Sequence, residues 1–183
     1  MLSSPLTAGA ELCSLEPWQA AEFATFIDRH RAHLAPWLPW ATSITDVDGA
    51  RHFLQRYADA QRNDEGRLFA IRLDGALIGG TVFRIFDVPS GVCELGVWIA
   101  PEAQGRGLVT AAARRMIDWA FGVRGMARVE WRAAPHNLRS NVVAERLGMT
   151  REGVLREVFP LHGERQDLAV WSLLASEWRT AAG

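Results

Sequence analysis

Phe23, Phe26, Ile27 and His30 recur at three-to-four-residue spacing and mark the buried face of a helix. That helix opens at Glu16-Pro17, where proline is tolerated in the first turn, and ends before Pro36. Ahead of it, residues 10–14 read as a short strand. Thr45 and Asp48 make a capping-box-like start for a second helix, with Val47, Ala50, Leu54, Tyr57 and Ala58 as its apolar stripe. Between the helices lies Ala35-Pro36-Trp37-Leu38-Pro39-Trp40, a loop stiffened by two prolines and presenting two large aromatics.

The period then shortens. Residues 68–73 and 76–86 read as strands joined by the tight turn Asp74-Gly75, and 92–99 as the next strand after Pro89-Ser90-Gly91. A long helix over 107–121 turns Ala111, Ala112, Met116, Trp119 and Ala120 inward, and Gly122 and Gly125 bracket its end. Strand 127–133, the loop Pro135-His136-Asn137 and a helix over 138–147 stopped by Gly148 follow. Strands 154–161 and 167–174 close the chain around His162-Gly163-Glu164. No repeat or interdomain linker interrupts this order, and the length suits one domain spanning 1–183.

Composition narrows the function classes. The formal charge of −1 gives no global attraction to nucleic acid or to an anionic membrane. No apolar run approaches a membrane span, and Met1-Leu2-Ser3-Ser4-Pro5 lacks the pattern of a secretory signal. Cys13 and Cys93 are far apart, form no metal-type spacing and read as reduced thiols of a cytoplasmic protein. All 20 basic residues are arginine, which removes both a lysine Schiff base and a P-loop lysine. His30 and His33 lie three apart on one helix, but no carboxylate or cysteine completes a metal set, so they read as solvated or core histidines and no metal is expected.

The strand 92–99 runs into a glycine-punctuated loop, Gln104-Gly105-Arg106-Gly107, and then a helix. Backbone N–H groups at such a helix entry are unpaired, and the helix dipole adds positive charge, so the turn suits phosphate. This turn resembles the phosphate loop of the GNAT-superfamily N-acetyltransferases, Gln/Arg-x-x-Gly-x-Gly/Ala. Pro36-Trp37-Leu38-Pro39-Trp40, Glu94-Leu95-Gly96-Val97-Trp98-Ile99 and Gly105-Arg106-Gly107-Leu108 are similar to its Rim-type branch (RimJ/RimL-like), which includes ribosomal-protein N-terminal acetyltransferases. So are Asn137-Leu138-Arg139-Ser140, Glu145-Arg146-Leu147-Gly148-Met149 and Arg151-Glu152-Gly153, in the expected order over nearly the whole chain. Two positions depart from the pattern. Val109 stands where the loop usually ends in Gly or Ala, and Ala144 stands where many members carry a tyrosine acid.

The resemblance implies an α/β (α+β) fold, a mixed, mostly antiparallel sheet flanked by helices, with strands 92–99 and 127–133 splayed apart. It implies acetyl-CoA as cosubstrate, a primary amine as acceptor (a protein N-terminus or a small molecule), direct transfer in a ternary complex, and a homodimer. The coenzyme would lie along Trp98 and Ile99, with its pyrophosphate on Gln104, Gly105, Arg106, Gly107, Leu108, Val109 and Thr110, and its pantetheine arm on Asn137 and Ser140. Glu94 is the candidate general base, or an ordinary polar residue on a sheet face. Ser140 is the candidate acid toward the thiolate, or a helix-capping residue. Gly96 would allow a bulge or close backbone approach, freeing the Val97 or Trp98 amide to polarise the thioester. Trp37 and Trp40 would wall the acceptor pocket or anchor their loop, His136 sits beside Asn137, and Glu157 and Asp167 fall on the closing hairpin. The competing reading is a coenzyme-A-binding sensor or scaffold without turnover.

Overall fold

The run Leu68-Phe69-Ala70-Ile71 is buried at every position, as a strand covered on both faces must be. It marks the centre of a computed structural model that describes residues 3–7 and 9–181. The elements are β1 (Ser3–Thr7), β2 (Ala10–Ser14), α1 (Ala20–Leu34), α2 (Pro39–Ser43), α3 (Val47–Arg62), β3 (Arg67–Leu73), β4 (Ala76–Asp87) and β5 (Val92–Ile99). After them come α4 (Leu108–Gly122), β6 (Arg128–Ala133), α5 (Leu138–Arg146), β7 (Thr150–Leu161), β8 (Glu164–Leu174) and α6 (Ala175–Ala181). The strands form one sheet in the order β1-β2-β3-β4-β5-β6-β8-β7, antiparallel except for the parallel pair β5–β6.

Each sheet face carries its own apolar layer. Phe69, Ile71, Phe83, Leu95, Val129 and Trp131 meet Ala112, Ala113, Met116 and Ile117 of α4 on one side. Leu68, Ala70 and Trp98 meet Phe23, Ile27, Phe53 and Leu54 of α1 and α3 on the other. The mixed, mostly antiparallel sheet flanked by helices is therefore the architecture that the resemblance implies. The parting of strands it implies is also present. β5 pairs with β6 only from Val92 to Glu94, against Arg128 to Glu130, whereas β6 continues along β8 as far as Ala133. From Leu95 onward one edge of β5 has no strand beside it.

Local chemistry explains the turns. Asp74 and Gly75 both have positive φ, as do His162 and Gly163, the backbone that a two-residue hairpin requires. Gly80 has a different reason to be glycine. A Cβ there would come within 2.2 Å of the Trp98 ring and 2.5 Å of the Phe69 carbonyl oxygen, so the bare backbone seats the indole.

The structure revises several expectations. β1 pairs with β2 ahead of the first expected strand, and a short helix, α2, replaces part of the proline loop. Asp46, not Thr45, caps α3, its carboxylate accepting the Gly49 N–H at 2.7 Å. Val47 is exposed while Phe53 is buried, so the stripe runs through Ala50, Phe53 and Leu54. On α4, Ala113 and Ile117 are buried beside the expected Ala112, Met116 and Ala120. β7 and β8 extend beyond the expected strands, with β7 at the sheet edge. The bulge expected at Gly96 lies instead in β4, where Arg84 is the extra residue between Phe83 and Ile85. At Gly96 no backbone comes close, and only the Val82 side chain would stand 3.1 Å from a Cβ.

Replacing Gly80 by Ala should destabilise the fold by about 1–3 kcal/mol, because a Cβ collides with backbone as well as with the indole. Urea unfolding followed by tryptophan fluorescence measures this, and an unchanged midpoint would refute the packing account.

Candidate active site

Glu94 and Glu130 are the last paired residues before β5 leaves β6, so two carboxylates share the vertex of the fork. Like charges on adjacent strands repel, and arginines relieve this. The Arg84 guanidinium grips Glu94 with two hydrogen bonds, Nε to Oε1 at 2.6 Å and Nη2 to Oε2. Arg84 is the extra residue of the β4 bulge, next to the Ile85–Glu94 pair. Arg132 stands between the carboxylates, its Nε 3.5 Å from Glu94 and its Nη2 2.8 Å from Glu130. Arg128 continues the row from Glu130 at 2.9 Å to Glu152, which also accepts the Ser172 hydroxyl at 2.8 Å. The Arg128 guanidinium and the Ser172 hydroxyl hold the Glu152 carboxyl down at about 2. Burial pushes Glu130 up, but Arg132 and Arg128 outweigh it and leave its pKa below the usual range. Glu94 is thus a nearly buried carboxylate whose oxygens are both occupied.

The glycine loop lies past the open end of β5. Gly105 and Gly107 have φ of 75° and 73°, and no atom lies within 4 Å of where a Cβ would be on either. The loop is open to solvent around a left-handed backbone that glycine adopts without strain. Gly107 caps α4 without any side-chain partner, and the first helical bond runs from Ala111 N–H to the Gly107 carbonyl. The N–H groups of Leu108, Val109 and Thr110 therefore head the helix unused by its own ladder. Val109 and Thr110 are half-buried, Leu108 is buried, and Arg106 is exposed. Gln104 spans two elements, with Nε2 3.0 Å from His33 Nε2 on α1 and Oε1 accepting from Arg139 Nη1 on α5 at 2.5 Å.

The far wall of the fork is the start of α5. Asn137 caps it, its side-chain oxygen accepting the Ser140 N–H at 3.2 Å. The Ser140 hydroxyl accepts from the indole N–H of buried Trp131 at 3.0 Å. Ala144, in the usual place of a tyrosine, is fully buried in the core under α4.

The proline loop bridges the mouth of the fork. Trp37 packs on His136, ring centres 5.3 Å apart, and His162 Nε2 is 2.8 Å from the Ala35 carbonyl oxygen. Trp40 points elsewhere. It lies among Phe23, Phe53 and Trp98 at 5.4–5.7 Å, as a loop anchor would. Trp98 itself is buried in this aromatic layer. Glu157 and Asp167 serve the hairpin, where the Asp167 carboxylate accepts the Glu157 N–H at 2.7 Å. Cys93 is buried, which pushes its thiol up to about 12, and Cys13 is also raised, chiefly by burial, so neither thiol is primed as a nucleophile.

Residues 13–150 match the acetyltransferase (GNAT) domain model. This chain belongs to the GNAT acetyltransferase family. It is 34% identical over 169 residues, 90% of each chain, to YdaF of Bacillus subtilis (strain 168), whose name proposes a ribosomal N-acetyltransferase. Among solved structures, RimL, a ribosomal L7/L12 α-N-protein acetyltransferase in complex with coenzyme A, superimposes with a TM-score of 0.89 at 19% identity, covering 96% of this chain and 99% of that one. RimJ of Mycobacterium smegmatis in complex with CoA-disulfide does so at 0.86 and 23% identity, covering 99% and 94%. At those identities the two structures establish the GNAT fold.

In this GNAT domain the structure places Glu94, Gln104–Thr110, Asn137, Ser140 and Trp37 along the fork and its ends, and packs a half-buried Trp40 against the aromatic layer. It adds Arg84, Arg132, Arg139 and His33, whose partners lie on other elements. Only Arg139 stood inside a motif; nothing in the spacing of the others marks them. The Trp131 bond gives a test of Ser140. Ser140→Ala leaves a buried indole N–H without a partner and should cost about 1–3 kcal/mol in unfolding free energy. If kcat at a temperature where Ser140→Ala is fully folded is unchanged, the hydroxyl is structural and not the acid.

Proposed function

We propose that this GNAT domain transfers the acetyl group of acetyl-CoA to a primary amine by direct attack in a ternary complex. The observation that carries this is the fork: β5 loses its neighbour β6 after Glu94, yet stays paired with β4 as far as Ile99, where it leads toward the open glycine loop. A linear polar ligand laid along the free edge can use backbone groups that no strand takes. Unused helix N–H groups and unfilled glycine positions at Gly105 and Gly107 fit an anionic pyrophosphate. Gln104, Gly105, Arg106, Gly107, Leu108, Val109 and Thr110 would hold that end, Trp98 and Ile99 the arm along β5, and Asn137 with Ser140 the opposite wall.

Acetyl-CoA supplies a thioester whose C–S bond breaks as the amide C–N bond forms. The amine must arrive neutral, and its second proton must leave. Glu94 is assigned the base role, directly or through water. An α-amine has a pKa near 8 and lysine one near 10.4, so an N-terminal acceptor is easier to deprotonate. For Glu94 to act, Arg84 must yield one carboxylate oxygen; with 51% of its side chain exposed, it is free to swing toward solvent. Ser140 or water returns a proton to the thiolate. No metal enters this scheme, and among the described residues no His, Cys, Asp and Glu cluster could hold one.

Relatives named for ribosomal-protein amines support a protein N-terminus as acceptor, with a small amine as the alternative. Two free cysteines support a cytoplasmic setting, and among the described residues no helix is long and apolar enough to cross a membrane. A homodimer is proposed, supported by Val154, Leu155 and Val158, each 39–40% exposed on edge strand β7. Sedimentation equilibrium should then give twice the 20.3 kDa chain mass, and a monomer at all concentrations would refute it.

Arg84's two-point hold on Glu94 and the engagement of Ser140 by Trp131 favour one other reading, a coenzyme-A-binding sensor. Thiol release from acetyl-CoA with a panel of N-terminal peptides and small amines separates the two. Saturable coenzyme binding without release for any acceptor would establish the sensor. In the enzyme, Glu94→Gln should lower kcat about 100-fold or more at neutral pH, with partial recovery at high pH where the amine is neutral. Unchanged activity removes Glu94 from the base role.

A further inference from the structure

The side chain of Gln104 joins two groups whose demands on it are compatible only while His33 is neutral. Arg139 has only donors, so the Gln104 atom 2.5 Å from its Nη1 is the amide oxygen. The other end of the same amide is then an NH₂ group, and it faces His33 Nε2 at 3.0 Å. Two donors cannot share that bond, so His33 Nε2 must offer a lone pair. A ring protonated on both nitrogens has none. With Arg139 in place, His33 is therefore neutral. To accept a second proton it needs the amide turned over, which presents NH₂ to Arg139 and breaks that bond.

The surroundings of His33 agree with a neutral ring. Burial lowers its pKa, the Arg139 and His30 charges lower it further, and a hydrogen bond to the Ile99 backbone and the Glu102 carboxylate oppose them. Glu102 is 3.5 Å from His30, which takes up part of its charge. These are the titratable and charged groups facing His33 from α1, the β5–α4 connection and α5.

Resting on the coenzyme reading above, the geometry points to His33 and Arg139 as further coenzyme-binding residues coupled through the Gln104 amide. Phosphates seated on the open loop next to Gln104 attract the exposed Arg139 guanidinium. Its departure frees the Gln104 oxygen for His33, and the anion itself favours the charged imidazolium. Coenzyme binding thus takes up a proton, and affinity strengthens as pH falls through the raised bound-state pKa of His33 until it reaches the lowered free-state value. A reading of His33 from helical spacing alone, as an idle histidine, misses this because its partners are 71 and, through Gln104, 106 positions away.

Calorimetric titration of coenzyme A into the full chain near pH 6.5, in buffers of different ionisation enthalpy, counts the protons exchanged. The coenzyme's own phosphate titrates in the same range, so the readout is the difference between the native protein and His33→Gln, whose amide mimics the neutral ring. The native protein should take up more protons than His33→Gln, by roughly half a proton or more per coenzyme bound. Equal proton counts with intact binding overturn the switch alone, whereas no saturable binding overturns the coenzyme reading as well. A second measurement needs neither coenzyme nor a substitution at His33. The imidazole NMR titration of His33 in the free protein should move to higher pH in Arg139→Gln, because a nearby positive charge is removed and the amide is also free to turn; an unmoved titration overturns the coupling.

Discussion

Everything at this site depends on the place where β5 stops pairing with β6. Three residue pairs hold the strands together, ending at Glu94 and Glu130, and then β6 follows β8 while β5 follows β4. The separation exposes one edge of β5 inside the domain. It also sets two carboxylates side by side at the vertex, a repulsion that a row of arginines from β4 and β6 relieves. The β4 bulge falls at the same level, with Arg84 as its extra residue beside the Ile85–Glu94 pair.

The two sheet faces divide the labour. Under α4 and α5 the layer is close-packed and apolar, and Ala144 sits there where a tyrosine would need room and a polar outlet. Under α1 and α3 the layer is aromatic, with Phe23, Trp40, Phe53 and Trp98 in mutual contact and Gly80 making space for the last. This aromatic block fixes the proline-rich connection from below. Its other aromatic, Trp37, is left to reach His136, so one loop anchors itself with one tryptophan and meets the β6–α5 turn with the other.

Much of the site is also structure. Asn137 caps α5, Ser140 satisfies a buried indole, Glu94 holds Arg84, and Gln104 ties α1 to α5. The candidate groups are thus held by hydrogen bonds that any chemistry at them would have to exchange. The Gln104 amide is the clearest case, because the orientation that serves Arg139 leaves a hydrogen bond only for the neutral His33 ring.

The sequence determined the local outcomes. Period-two and period-3.6 patterning placed most strands and helices, Asp74-Gly75 fixed a hairpin, and the glycines of the loop could take the left-handed backbone that the turn demands. Together with the motif order they were enough to specify the family's fold and to single out the glycine loop and Glu94 as candidates. Which Trp packs on His136, where the bulge falls, what holds Glu94 and what His33 contacts were decided only in three dimensions. Each depends on contacts between separate elements of the chain. Arg84 and Glu94 are 10 residues apart on different strands, Trp37 and His136 lie on different layers, and His33 and Gln104 are 71 apart. Spacing along a strand or helix encodes which face a side chain takes, but not which side chain will meet it there.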